Sequence, residues 1–221
     1  MFEHGAVTVL QGTKGMVVNT ANEVGTVGGF VITDFENFFA QAALFDGNEV
    51  QLIPRQPGEI HSEVMLLNDP GVAMIFSLDE NFNGRLALYK NGKVTPVDFG
   101  PDIPFTIPSG MNNQGIIVGI TSIDGLSDRG FRFDPGTGIA TLLEPLPTEP
   151  HSWAVGINNG GDVLGYSFIG GAIERIGNVD EGSVWSDRQT TPCPRPGSSY
   201  RYLSYESVVS GPNHRNAVVG G

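Results

Sequence analysis

The chain has 221 residues and a formal net charge of −12, with 12 Lys and Arg against 24 Asp and Glu. This length allows a sizeable hydrophobic core, and the charge speaks against nucleic acid and anionic membranes as partners, because both bind through Lys and Arg. The single Cys193 excludes an internal disulfide and a cysteine-based zinc site. No apolar run is long enough to span a membrane, and Met1-Phe2-Glu3-His4 lacks the features of a signal peptide, so the compartment stays open.

One short phrase recurs along the chain: an apolar strand ends at Asn, Gly follows three residues later, and a second apolar run closes on Gly four residues beyond. The clearest copies are Met111–Gly119 and Ile157–Gly165. Asn suits the first position of a type I turn and Gly the fourth, so each copy predicts a tight hairpin. The five anchors are 46, 44, 46 and 55 residues apart, the last in a degenerate copy: Asn22, Asn68, Asn112, Asn158 and Asn213.

Each repeat predicts four short strands, which we call A to D. In the third repeat they are Phe105–Met111, Ile116–Ile120, Phe131–Asp134 and Ile139–Leu143. The C and D strands with their turn recur at Ala43–Leu52 and at Leu88–Val97, and more loosely at Ser183–Trp185 with an irregular Thr190–Pro196. The first repeat also contains Phe residues at helical spacing, which predict a short helix over Phe35–Ala43, capped by Asp34.

The two ends of the chain predict one further repeat between them. Met1–Leu10 has the pattern of a C and a D strand, whereas Tyr205–Gly221 has that of an A and a B strand. Four-stranded units of about 44 residues are typical of propeller blades. We therefore predict an all-β chain with a single domain, a five-bladed β-propeller whose last blade is closed by strands from both termini. Its approximate blades are 11–54, 55–100, 101–145, 146–196, and 197–221 with 1–10.

Two segments, Ser152–Val155 and Ile157–Tyr166, resemble the HAF-type repeat of bacterial and cyanobacterial extracellular proteins. The pattern of that family is Ser-x-Ala-x-x-Ile-Asn-x-x-Gly-x-Val-Val-Gly-Tyr. The resemblance covers essentially the whole chain and is best in the third and fourth repeats, although Arg129–Phe133 and Leu86–Tyr89 replace the family's His-Ala-Phe-Leu-Trp strand. It implies a propeller and a secreted protein, but it says little about chemistry.

In a propeller, strand A lines the central channel, and the D–A and B–C connections meet at the face that usually binds ligands. Seven residues before their anchors, His61, His151 and Glu206 share one register, and Glu63 lies close by. Two imidazoles and a carboxylate predict either a divalent metal site or an acid and a base, with Glu63 as a further carboxylate. The alternative is that both His cap the start of strand A by bonding loop carbonyls and that Glu206 is solvated.

Other residues of this face are interpreted in three groups. The hydroxyls of Ser62 and Ser152 are candidate ligand-binding groups at the mouth, although they are expected to tie neighbouring blades together rather than attack a substrate. Asp34, Asp79 and Asp124 share a register in the B–C loops and are interpreted as turn or cap residues rather than calcium ligands. Aromatic side chains predict a ligand-binding rim: Phe38, Phe82, Phe105, Trp153, Tyr202 and Tyr205.

Three functions are compatible with this arrangement. The first is a binding protein for a small neutral or cationic molecule or a glycan, held at the mouth of the channel. The second is an enzyme of the cyclase, lyase or hydrolase type at the same mouth, and the third is a scaffold for protein interactions. A divalent metal is the only candidate cofactor, and a monomer is expected. A glycosidase is disfavoured, since five-bladed glycosidases use three carboxylates and only Glu63 and Glu206 are found.

Overall fold

The structure is a computed structural model that describes residues 2–3, 6–7, 15–101, 103, 106–147, 149–168, 181–186 and 189–192. In these ranges the chain is all-β and consists of strands, turns and loops. No helix long and apolar enough to cross a membrane is found there. The chain divides into two compact units, Met1–Asp98 and Phe99–Gly221.

The first unit contains two four-stranded antiparallel sheets and a hairpin. The hairpin pairs β1 (Phe2–Glu3) with β2 (Ala6–Val7), within the predicted C and D strands of the N-terminus. Sheet I has β3, β4, β5 and β6 in sequence order: Met16–Ala21, Val27–Asp34, Phe39–Phe45 and Val50–Leu52. Sheet II has β7 to β10 in the same order: Glu59–Leu67, Ala73–Asp79, Gly84–Lys90 and Lys93–Pro96.

The second unit contains two more sheets of the same topology. Sheet III has β11 to β14: Thr106–Met111, Ile117–Ser122, Asp128–Asp134 and Ile139–Leu143. Sheet IV has β15 to β18: His151–Ile157, Val163–Phe168, Glu181–Ser186 and Gln189–Pro192. The four strands predicted for the third repeat are confirmed, and the irregular D segment of the fourth repeat contains a strand.

The helix predicted over Phe35–Ala43 is wrong. Residues 35–38 form a turn and Phe39–Phe45 is strand β5, which pairs with β4 from Asp34↔Phe39 to Val27↔Phe45. The helical spacing of the Phe residues is a local signal, and the backbone hydrogen bonds of a central strand outweigh it. Ala40 and Ala42 are fully buried in that strand.

Each unit has its core between its two sheets. The A strand of the second sheet lies against the first sheet: β7 contacts β3, β4 and β5, and β15 contacts β11, β12 and β13. In the first unit the cluster contains Ala42, Leu44, Ile53, Val64, Leu67, Ala73, Ile75 and Tyr89. In the second it contains Val118, Leu143, Ala154 and Val163. The side chains of β7 and β15 that face the preceding sheet are therefore packed against it.

The Asn and Gly phrase forms the A–B turns as predicted. The amides of Gly25, Gly71, Gly115 and Gly161 donate to the carbonyls of the anchor Asn residues at 3.3, 3.0, 2.9 and 3.1 Å. All four Gly have positive φ, between 78 and 93°. Each A strand also has a bulge three residues before its anchor, at Asn19, Met65, Ser109 and Val155.

Candidate functional site

The end of each unit that carries the B–C and D–A connections, which we call the loop end, contains the predicted site residues that fall within the described ranges. In the first unit, His61 and Ser62 bind strand β5 of the preceding sheet through their side chains. The Ala40 N–H donates to His61 Nδ1 at 3.3 Å, and the Ala42 N–H donates to Ser62 Oγ at 3.1 Å. Two successive side chains thus accept alternate backbone donors of one strand.

The second unit repeats this arrangement. The Asp128 N–H donates to His151 Nδ1 at 3.2 Å, and the Gly130 N–H donates to Ser152 Oγ at 3.0 Å. Ser152 Oγ also donates to the Leu143 carbonyl at 2.6 Å, and the side chain is fully buried. The prediction that these hydroxyls join neighbouring sheets is confirmed for Ser62 and Ser152.

These contacts define what the two imidazoles can do. A backbone N–H can only donate, so Nδ1 accepts in both rings and the neutral imidazole carries its hydrogen on Nε2. A His that binds a metal through Nε2 instead donates from Nδ1 to its outer partner. His61 and His151 are therefore arranged as acceptors that join sheets, although not through the loop carbonyls of the cap interpretation. Among the described residues, no group of three His, Cys, Asp or Glu is placed to hold a metal ion.

Trp153 is held by two contacts at the loop end of the second unit. Its Nε1–H donates to Asp128 Oδ2 at 3.1 Å, and Phe168 meets its ring edge-on with centroids 5.2 Å apart. Phe168 also stacks on His151, with centroids 5.1 Å apart and an interplanar angle of 20°. Asp128, His151 and Phe168 are buried, whereas Trp153 is partly exposed. Trp153 is thus the accessible member of a fixed cluster.

Glu63 occupies the register of Trp153 in sheet II, five residues before its anchor, and has a different role. Its Oε2 accepts a hydrogen bond from Asn19 Nδ2 at 2.8 Å, and the same amide donates to the Val64 carbonyl at 3.2 Å. Asn19 is the bulged residue of β3 in sheet I. Glu63 is therefore part of a contact between the A strands of the two sheets, where sequence analysis predicted a catalytic carboxylate.

The three aspartates of the B–C loops close those loops, which confirms their interpretation as turn or cap residues. Asp34 Oδ1 accepts the N–H groups of Glu36 and Asn37, and Asp124 Oδ1 accepts those of Leu126 and Ser127. The side-chain amide of Asn37 holds the pKa of Asp34 below its ordinary value of 3.8. The backbone N–H of Leu126 lowers the pKa of Asp124 in the same way.

Asp79 has the fullest set of such partners. Its carboxylate accepts the N–H groups of Asn81 and Asn83 at 2.9 and 3.0 Å, the Asn83 side chain at 3.1 Å, and Arg85 at 2.8 Å. The backbone N–H of Asn83, followed by its side-chain amide, lowers the pKa of Asp79 from 3.8. The ionised carboxylate therefore holds this loop in its folded conformation.

This lowered pKa gives a testable pH dependence. Ionised Asp79 stabilises the fold above its unfolded pKa, and that contribution is lost as the pH falls through the lower folded value. We expect Asp79→Asn to be less stable than the wild type at about pH 7, and the difference to narrow below about pH 4. Urea unfolding followed by circular dichroism at several pH values measures it. A difference that stays constant down to about pH 3 would contradict this role.

Phe38 and Phe82 lie at the tips of the first two B–C loops. Their exposed fractions are 73 and 66%, and both have positive φ, 58 and 60°. The ring of Phe39, next to Phe38, is 6.4 Å from that of Phe82. Both predicted rim residues are therefore exposed at the loop end of the first unit.

No family model matches this chain, and the search of curated proteins gives no match. Four of the predicted site residues, Phe105, Tyr202, Tyr205 and Glu206, lie outside the described ranges. The metal and acid–base hypotheses that require Glu206 stay predictions.

Sequence reasoning missed two features of the loop end. Asp128, the first residue of β13, binds Trp153 through its side chain and His151 through its backbone; neither contact follows from a spacing. The second feature, a tripeptide shared by two B–C loops, is visible in the sequence. The tripeptide Glu-Asn-Phe occurs at 36–38 and again at 80–82, in both cases in a B–C loop.

Proposed function

We propose that this chain is a five-bladed β-propeller of the HAF-repeat kind, with blades as predicted from the sequence and the last blade closed by both termini. We further propose that it binds a small neutral or cationic molecule or a glycan at the loop end. Support for the fold comes from four sheets of one topology, each with a bulge at the same distance from its anchor Asn.

The observation that carries the binding proposal is the fixed, partly exposed indole of Trp153. Its Nε1–H is bound to Asp128 and its edge is packed on Phe168, so its orientation is set before any ligand arrives. An aromatic ring held in advance avoids the entropy cost of ordering a side chain on binding. Aromatic faces bind the apolar faces of sugars and also attract cations, and the buried Asp128 carboxylate places negative charge beside the indole.

Ligand binding is favoured over catalysis because both imidazoles already accept hydrogen bonds that join neighbouring sheets. Both rings accept a backbone N–H at Nδ1 and so keep their hydrogen on Nε2. A general base needs a free lone pair within reach of the substrate proton. In this arrangement His61 and His151 hold the sheets that carry the aromatic side chains.

The test is a binding screen with neutral oligosaccharides and quaternary ammonium compounds, using the wild type and Trp153→Ala. We expect the wild type to retain members of this panel and Trp153→Ala to weaken each at least about tenfold, which corresponds to about 1.4 kcal/mol. Ile107→Ala is the matched control, because Ile107 has the same register in sheet III and is 48% exposed. Equal retention by Trp153→Ala and the wild type, or no retained compound, would refute the proposal.

A further inference from the structure

Two B–C loops of the first unit share a tripeptide, and a left-handed backbone at its Phe, that the Trp153 site does not use. Glu36-Asn37-Phe38 and Glu80-Asn81-Phe82 are identical tripeptides, each closed by an aspartate that accepts loop N–H groups. All six residues of the two tripeptides are exposed. The B–C loop of sheet III in the second unit, residues 123–127, lacks the tripeptide.

The backbone of both Phe residues is strained. A left-handed conformation is unfavourable for a bulky residue, and Gly or Asn adopts it at much lower cost. The loop of the second unit has Gly125 in that conformation, with φ 76°. Phe38 and Phe82 therefore occupy positions where folding alone favours a smaller residue, and their rings gain little burial in return.

The two tips belong to one surface. The contact between the rings of Phe39 and Phe82 joins the loops of sheets I and II, and Phe35, 74% exposed, lies on the first loop. We call the surface of Phe35, Phe38 and Phe82 with Glu36 and Glu80 the double-loop surface. Clustered exposed aromatic residues of this kind mark interaction sites in soluble proteins.

The charge of the double-loop surface indicates which kind of partner binds there. Residues 34–38 and 79–83 contain four acidic residues and neither Lys nor Arg. Aromatic rings and carboxylates together attract cations that carry apolar surface. A second copy of this chain, with a net charge of −12, would instead be repelled. We propose that the double-loop surface binds a basic, apolar peptide segment of a partner protein, independently of the Trp153 site.

A cavity beside the second loop fits the same partner. It has a volume of about 210 Å³, and Asp79, which closes that loop, is part of its lining. Its walls are mainly apolar and carry two further charged residues, Glu59 and Arg85, of which Arg85 is already bound to Asp79. A Lys or Arg side chain of the partner would bury its aliphatic stem against such walls and keep its charge beside Glu59.

The experiment uses the full chain and a fluorescein-labelled octapeptide of alternating Lys and Leu, followed by fluorescence polarisation. The test variant is Phe38→Asn with Phe82→Asn, because Asn adopts the left-handed conformation and keeps the loops folded. Leu126→Asn is the matched control, since Leu126 is 80% exposed in the loop without the tripeptide. We expect the double variant to raise Kd at least about tenfold and Leu126→Asn to leave it unchanged.

Charge is tested separately with Glu36→Gln and Glu80→Gln together, against Glu23→Gln and Glu49→Gln, which change two exposed glutamates elsewhere in the same unit. We expect Glu36→Gln with Glu80→Gln to raise Kd at least about threefold more than Glu23→Gln with Glu49→Gln does. Undetectable binding by the wild type, or equal binding by the Phe38→Asn, Phe82→Asn variant, would overturn the proposal. The proposal would also be overturned if the wild type bound phosphatidylcholine vesicles, or formed a concentration-dependent dimer, and the Phe38→Asn, Phe82→Asn variant abolished that binding or that dimer.

Discussion

Replacing Gly119 by Ala is expected to lower the free energy of unfolding by about 3 kcal/mol. An added Cβ would lie 2.2 Å from the Ile107 carbonyl oxygen, 2.8 Å from the Phe131 ring and 2.9 Å from Pro108 Cα. Two of these neighbours are backbone atoms of β11, next to its bulge, so they have little freedom to move. The close approach of strands A and B in sheet III thus requires Gly at position 119, whereas sheet II has Ile75 at the equivalent position.

Gly156→Ala is the matched control in the same unit. Gly156 lies on strand β15 beside the bulge, and an added Cβ would meet nothing within 4 Å. We expect its stability to be unchanged or raised by up to about 1 kcal/mol, because Gly inside a strand costs conformational entropy. Urea unfolding followed by circular dichroism compares the two variants. Wild-type stability in Gly119→Ala would show that the two strands separate easily.

The second large effect is expected at Asn112, which is 1% exposed. Its Oδ1 accepts the N–H groups of Gln114 at 3.1 Å and Ile116 at 3.0 Å, and its Nδ2 donates to the Asn158 carbonyl in sheet IV at 3.2 Å. Asn112→Ala leaves the buried Ile116 N–H without its partner and removes the bond to sheet IV, where the Asn158 carbonyl keeps the Gly161 N–H. We expect a loss of about 3 kcal/mol in the free energy of unfolding, measured by urea denaturation.

Asn158→Ala tests the contribution of the turn alone, because it leaves the hydrogen bond between sheets III and IV in place. Asn158 Oδ1 accepts the Asp162 N–H and its Nδ2 donates to the Asp162 carboxylate, so both bonds stay inside one turn. Its carbonyl still accepts from Asn112 after the substitution. We expect a loss of about 1 kcal/mol. An equal loss in the two variants would mean that the bond from Asn112 to sheet IV contributes nothing.

These two residues show how far the sequence predicts the fold. Turn chemistry is local, so Asn at the first position and Gly at the fourth were enough to place the A–B hairpins, and the third repeat followed from them. The donation from Asn112 to sheet IV spans 46 residues and has no local pattern. The same limit explains the error at Phe35–Ala43. The helical spacing of the Phe residues is local, whereas the pairing of β5 with β4 is not visible in that segment alone.

The site was predictable in position but not in role. Counting back from each anchor placed His61 and His151 at equivalent positions, and the structure gives them equivalent contacts with Ala40 and Asp128. The direction of those hydrogen bonds shows that the imidazoles are acceptors rather than metal ligands. This direction is set by the backbone of a neighbouring sheet, which no local pattern in the sequence reveals. Trp153 was identified as an aromatic side chain of the rim, whereas its fixed orientation depends on Asp128 and Phe168.

The most direct test of ligand binding at Trp153 is its indole N–H signal in a ¹H–¹⁵N correlation spectrum. The chain has two Trp residues, so the indole signal that disappears in Trp153→Phe identifies the residue. We predict that at least one neutral oligosaccharide or quaternary ammonium compound shifts this signal saturably, with an affinity that Trp153→Ala weakens. An indole signal that no member of the panel moves would contradict ligand binding at Trp153.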